Sequence, residues 1–133
     1  RKSIEAGDDN WEANLVAAFH RLSKAESSES PDLVEWEIRN RDFHLALIAK
    51  CNSKWLHRFY TTLYDQHKRY RNLALITPSN RDVHAEHQEL FDAAMTRDVK
   101  RALKANEIHI RSTADVIAET LREHDEALGL GNG

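Results

Sequence analysis

Apolar residues fall at helical spacing in five successive stretches of this chain, and the stretches between them are short and polar. The first helix is expected over roughly residues 8–24, with Trp11, Leu15, Val16, Phe19 and Leu22 facing inward. Residues 25–30 are rich in Ser and Glu and read as a loop. Ser30 then reads as an N-cap with Pro31 at the first helical position. That second helix runs to about Cys51, with Trp36, Phe43, Leu47 and Cys51 inward. After a break at Asn52-Ser53, the third spans about residues 54–75 on a stripe of Leu56, Phe59, Tyr60, Leu63, His67, Tyr70 and Ala74. Thr77-Pro78-Ser79 stops it, and Ser79 is expected to cap a fourth helix to about Met95, with Val83, His87, Leu90, Phe91 and Ala94 inward. Thr96-Arg97-Asp98 turns into the last helix, whose inward positions are Ala102, Ala105, His109, Ser112, Val116, Ile117 and Thr120. It is expected to fray near Glu126 into a flexible tail, 127–133.

Glycine use supports an all-α fold. The four glycines are Gly7, Gly129, Gly131 and Gly133, so none lies between residues 8 and 128, and the prolines are Pro31 and Pro78. A β-protein of this length would need many glycine-bearing turns. The 133 residues suit one domain, here a bundle of about five helices. Hydrophobic residues at 41% and charged residues at 31% fit a soluble globular chain. No apolar run reaches the roughly 20 residues a membrane span requires. No signal-peptide pattern opens the chain, and Arg1 suggests a fragment of something longer. The lone Cys51 excludes an internal disulfide, reads as a small core residue and is in keeping with a cytoplasmic setting. A formal charge of −3 argues against this segment gripping nucleic acid by itself.

Four polar residues fall on the inward stripes: Asn40, His44, His87 and His109. Asn40 and His44 are four apart and share a helix face. The plainer reading of any one such histidine is a hydrogen-bonded core residue. Three imidazoles from three helices are costly to bury together unless something pairs with them. A divalent cation would accept one nitrogen from each, with the Asn40 oxygen completing the set, and imidazole-rich ligation suits Zn, Ni, Cu or Fe better than Ca or Mg. His20, His57, His84 and His124 can be surface residues, whereas His67 could line the same cavity. No zinc-finger spacing, HExxH motif, phosphate loop or nucleophile elbow is present.

The run Asn40-Arg41-Asp42-Phe43-His44-Leu45-Ala46-Leu47 resembles the D-x-x-F-H-x-x-L motif of the FCD domain, the ligand-binding domain of FadR-subgroup regulators in the GntR family. Glu86-His87-Gln88-Glu89-Leu90-Phe91-Asp92-Ala93-Ala94 resembles that family's E-H-x-x-L/I-x-x-A-I segment. The stretches Cys51-Asn52-Ser53 to Leu56 and Arg97 to Ala102 also follow its pattern, and His109 falls at its last histidine. The resemblance covers roughly residues 8–122. It implies an antiparallel bundle of five to six helices around a central cavity. It also implies a metal, Zn or Ni by preference, held by Asn40, His44, His87 and His109. Asn40 departs from the family's usual Asp and should hold a cation more weakly. Asp42 is no substitute, because it lies about 160–200° around the helix.

Family members commonly bind small organic acids, and Arg71, Tyr70 and His67 are the best candidates for such contacts, with Ser112 and Asn106 behind them. The winged-helix DNA-binding domain is not in this chain, and the family's first helix is absent or reduced to residues 1–6. The resemblance therefore implies a non-enzymatic effector sensor. A small carboxylate at the metal would alter DNA binding by a separate N-terminal domain in a homodimeric, cytoplasmic regulator. The alternatives are a metal-dependent hydrolase built on a helical bundle and a metal-free helical interaction module.

Overall fold

In the computed structural model, which describes residues 1–28, 32–77 and 80–127, seven helices follow one another and no strand occurs among those residues. They are α1 Lys2–Ala6, α2 Asp9–Glu26, α3 Leu33–Ile48, α4 Lys54–Gln66, α5 Lys68–Ile76, α6 Val83–Met95 and α7 Val99–Ala127. The expected caps at Ser30 and Ser79, both prolines and the tail from residue 128 lie outside the described residues.

Acidic caps start the long helices. Asp8 Oδ1 accepts from Trp11 N at 2.9 Å, Asp32 Oδ1 from Val34 N at 2.8 Å, and Asp82 Oδ1 from Ala85 N at 2.9 Å. Each satisfies an amide that has no partner within its helix, at the end where the dipole favours negative charge. The caps of α3 and α6 are therefore Asp32 and Asp82.

The core lies between α2, α3, α6 and α7. Trp11, Leu15, Ala18, Phe19 and Leu22 of α2 meet Trp36 and Phe43 of α3, Leu90, Ala93 and Ala94 of α6, and Ala102 and Ala105 of α7. Phe19 stacks on Phe91 with centroids 4.4 Å apart. Alanines on α6 and α7 allow the close approach that the bulky α2 side chains fill. Trp11 is buried, and its indole N–H donates to Ala46 O at 2.8 Å, so its one polar atom is satisfied.

Arg97 joins the N-terminal corner to the α6–α7 turn. It sits at φ 59°, the left-handed geometry that ends α6. Its guanidinium donates to Ile4 O at 2.6 Å, Gly7 O at 3.1 Å and Glu12 Oε1 at 2.5 Å, and lies over the Trp11 ring. A Cβ at Gly7 would run into both Arg97 and Trp11, so this approach requires glycine.

The structure corrects four expectations. Helix α2 continues through Glu26 instead of giving way to a loop at residue 25. Val16 faces solvent, because it is one residue off the buried stripe of Leu15 and Leu22. The expected third helix divides at His67 into α4 and α5; His67 bonds the Leu63 carbonyl with both its amide and its imidazole Nδ1, at 3.1 and 2.7 Å. This local competition for one carbonyl ends the turn. Finally, Leu56, Phe59 and Leu63 of α4 are exposed, and Tyr64 is the side chain this helix buries. The stripe expected there is real, but nothing among the described residues covers it.

Candidate metal centre

Helix α3 presents Glu37, Asn40 and His44 at positions i, i+3 and i+7, one face of a helix. His87 comes from the middle of α6 and His109 from α7. The three imidazole rings converge: centroids lie 5.3 Å apart for His44–His87, 5.1 Å for His44–His109 and 4.7 Å for His87–His109. One nitrogen from each falls within 4.8 Å of the others. His87 is fully buried, and His44 is partly exposed as a residue but has its ring enclosed.

Carboxylates stand behind two of the rings. His87 Nδ1 lies 2.6 Å from Glu26 Oε1, at the last residue of α2. His109 Nδ1 lies 2.7 Å from Glu86 Oε2. An ionised carboxylate only accepts, so each Nδ1 carries a proton, which in a neutral ring leaves the lone pair on Nε2. The Nε2 of His87 is buried without any hydrogen-bond partner. The His44 imidazole makes no hydrogen bond to any described residue, only ring contacts with Phe43, His87 and His109.

The supports are themselves held. His84 Nδ1 meets Glu26 Oε2 at 2.8 Å, so a histidine expected at the surface does lie there while steadying the carboxylate behind His87. Arg81 grips Glu86 with two bonds, at 2.7 and 2.5 Å, and reaches His109 O at 3.2 Å.

These contacts set protonation. Burial, then repulsion from His109, His87 and Arg71, holds the His44 imidazole well below the ordinary histidine value of 6.5. Burial also lowers His109, outweighing the opposing bond to Glu86. For Glu86 burial pushes upward, but the bonds from Arg81 and His109 prevail and bring it down to about 2. Glu26 follows the same logic: burial raises it, and His87 and His84 pull it below its ordinary value. The result favours the neutral form of His44 and His109, with Glu26 and Glu86 ionised beside the cluster.

That donor set fits a transition-metal ion. Imidazoles with an outward lone pair and a carboxylate on the far nitrogen are the usual support of a His-ligated metal. The orphaned Nε2 of His87 is otherwise a buried acceptor with nothing to accept from. His44, His87 and His109 could thus hold a metal ion.

Asn40 is buried, and its amide donates to Tyr64 Oη at 2.6 Å while its Oδ1 has no partner. It borders a cavity of about 30 Å³ that it shares with His109, Arg71, Arg81 and Thr113. Arg71 forms a buried ion pair with Glu37 and lies over the Tyr64 ring, its Cζ 3.5 Å from the centroid.

Of the side chains expected to contact a ligand, Arg71 alone lines this cavity among the described residues. Tyr70 is half-buried and engaged with Arg69, which donates to its hydroxyl at 2.5 Å. His67 is exposed at the α4–α5 junction, Asn106 is exposed on α7, and Ser112 is half-buried there. Sequence reasoning missed Glu26, Glu37, Tyr64, Arg81 and Thr113. Glu86 entered the sequence pattern only as the residue before His87. The turn of about 100° between neighbouring helix positions directs Glu86 to His109 instead.

The chain is 42% identical over 124 residues to the uncharacterized HTH-type transcriptional regulator BphR of Paraburkholderia xenovorans (strain LB400), covering 90% of this chain and 51% of that protein. It is 32% identical over 126 residues to the HTH-type transcriptional repressor GlaR of Escherichia coli (strain K12), covering 90% of this chain and 57% of that protein. The chain thus spans about half the length of the curated relatives it matches. Both relatives are HTH-type regulators of transcription. No solved structure matches it. The FCD domain model matches residues 1–112, and the chain belongs to the FCD domain family.

Proposed function

We propose that this chain, residues 1–133, is the single effector-sensing domain of a cytoplasmic bacterial regulator of the GntR family, FadR subgroup. In this reading it controls DNA binding by a separate N-terminal winged-helix domain. The observation that carries it is the convergence of three imidazoles within 4.8 Å, two of them backed by carboxylates, beside a cavity bordered by Arg71 and Arg81.

His44, His87 and His109 would hold the ion, zinc or nickel by preference, with Asn40 Oδ1 as the fourth donor. A bound divalent ion would supply a Lewis-acidic contact for one carboxylate oxygen of a small organic acid. The chain's own residues do the rest. Glu26 and Glu86 fix the tautomers of His87 and His109, and Arg71 and Arg81 offer positive charge to the acid. Signalling needs an effector that prefers one of two arrangements. Arg81 supports such a preference, since Glu86, His109 and an incoming carboxylate all call on one guanidinium.

The hydrolase alternative is not favoured: Glu26 and Glu86, the carboxylates in contact with the imidazoles, are both committed to orienting them.

The intact regulator is proposed to work as a homodimer, and α4 supplies a face for it. Trp55, Phe59 and Leu63 recur every four residues and are 67%, 61% and 53% exposed. Lys54 stands at one end of this stripe and Asp65, paired with Arg41, at the other. Two copies crossing antiparallel at Phe59 would bury the stripe and set basic end against acidic end, as a two-fold interface requires.

Elemental analysis of the untagged protein, purified without added metal or chelator, tests the centre. About one zinc or nickel per chain is expected, followed by a thermal shift with carboxylates. No metal even after reconstitution would leave the imidazole cluster a polar pocket and overturn the proposal.

A further inference from the structure

We infer that the effector is a monocarboxylate carrying an apolar body of several carbons, whose acid head enters the cavity by His109 while its body lies in the adjoining cleft. This rests on the proposed acid-sensing role and specifies the acid. The head cavity, at about 30 Å³, is far smaller than the hollow beside it, so it suits the acid head of a ligand and leaves the body to the larger space. It shares Trp36, Ala74, Leu75, Arg81 and Val83 with a second hollow of about 880 Å³, so the two abut along a common wall. The larger one lies within the size range of sites that hold small organic ligands.

Polarity divides the two spaces. Cationic side chains, Arg71 and Arg81, stand at the head cavity, whose walls also include two residues with buried N–H groups lacking an acceptor, Trp36 Nε1 and Arg71 Nε. A carboxylate is an acceptor-only group that suits them. The cleft adds Leu33 and Ile76 to the shared apolar wall. Among the described residues, its charged lining beyond Arg81 is Glu26 and Asp82, with His84 bonded to Glu26. A second carboxylate at the far end of the ligand would face these two, so a diacid is disfavoured where a monoacid of equal length is not.

The test is calorimetric titration of the zinc-loaded chain with acetate, hexanoate and hexanedioate. Four added methylenes entering an apolar cleft should make hexanoate roughly 30-fold or more tighter than acetate. Hexanedioate should bind at least about tenfold more weakly than hexanoate, given the like charge it meets. In Leu33→Asp, whose new carboxylate sits in the first helical turn where it is tolerated, the ratio of hexanoate to acetate affinity should collapse toward one. Equal affinity for acetate and hexanoate, hexanedioate matching hexanoate, or an unchanged ratio in Leu33→Asp would each overturn the inference while leaving an acid-sensing centre standing. Zinc-loaded protein that binds none of the three acids would refute the acid-sensing reading itself, and this inference with it.

Discussion

His87 Nδ1 lies 2.6 Å from Glu26 Oε1, across 61 residues of chain, and this one bond decides which nitrogen of a fully buried imidazole faces the other two histidines. With its Nδ1 committed to Glu26, His87 keeps a buried Nε2 that has no hydrogen-bond partner. The carboxylate accordingly acts on the centre through the histidine.

Glu26→Gln should therefore weaken zinc binding by about 10–100-fold, the usual effect of removing a carboxylate behind a ligating histidine. Glutamine keeps the length and can still accept from Nδ1, so the metal-free fold should survive, checked by circular dichroism. Competition against a chromogenic chelator measures the loss. Affinity equal to wild type would mean that Glu26 supports only the fold.

His87→Ala and His109→Ala each remove one of three nitrogens and should abolish tight zinc binding. Zinc bound only by the folded form stabilises it by roughly 2.7 kcal/mol when free metal is 100 times Kd. The zinc-dependent rise in melting temperature seen in wild type should thus vanish in both variants. Unchanged metal content in both would remove these residues from the centre.

Asn40→Asp should tighten zinc binding, because a carboxylate replaces a neutral amide oxygen among the donors. Tyr64 Oη would then donate to residue 40 where it now accepts, so the 2.6 Å contact can persist with its direction reversed. Weaker zinc binding in a folded variant would exclude residue 40 as a ligand.

How far the sequence foretold this arrangement differs by residue. Trp11, Leu15, Phe19 and Leu22 were legible because their spacing reports a buried face and α2 does bury it. The same spacing at Leu56, Phe59 and Leu63 reported an apolar face correctly, but periodicity does not say what covers it. The histidines were legible because imidazoles are out of place on apolar stripes. Glu26 was not, since it stands at a helix end that looked like loop and its partners are 58 and 61 residues away. Arg81 was hidden similarly, on the connection before α6, where no periodicity applies.

Phe59→Glu tests the α4 interface. A carboxylate at the centre of the stripe would meet its own copy across the two-fold axis, and like charges there oppose association. Sedimentation velocity should show the wild-type chain as a dimer and the variant as a monomer, with unchanged zinc stoichiometry. A variant that remains dimeric would remove α4 from the interface.

Acid should destabilise the metal-free protein in two stages. His44 and His109 are held below their ordinary value of 6.5 in the folded chain, chiefly by burial. Between the lowered value and 6.5 the unfolded chain binds more protons than the folded one, so stability falls as pH drops. The first loss should therefore begin just below pH 6.5. Glu86, brought down to about 2 because its bonds to Arg81 and His109 outweigh burial, and Glu26, lowered by His87 and His84 against the same opposition, add a second loss as pH falls below 4.5. The sign is the same, since here too the unfolded chain takes up protons that the folded chain refuses. Urea midpoints measured in a chelator from pH 8 to pH 4 should stay level above 7, decline below 6.5 and steepen below 4.5. A midpoint that holds steady from pH 7 to pH 5 would show that the imidazoles are not kept neutral by the fold.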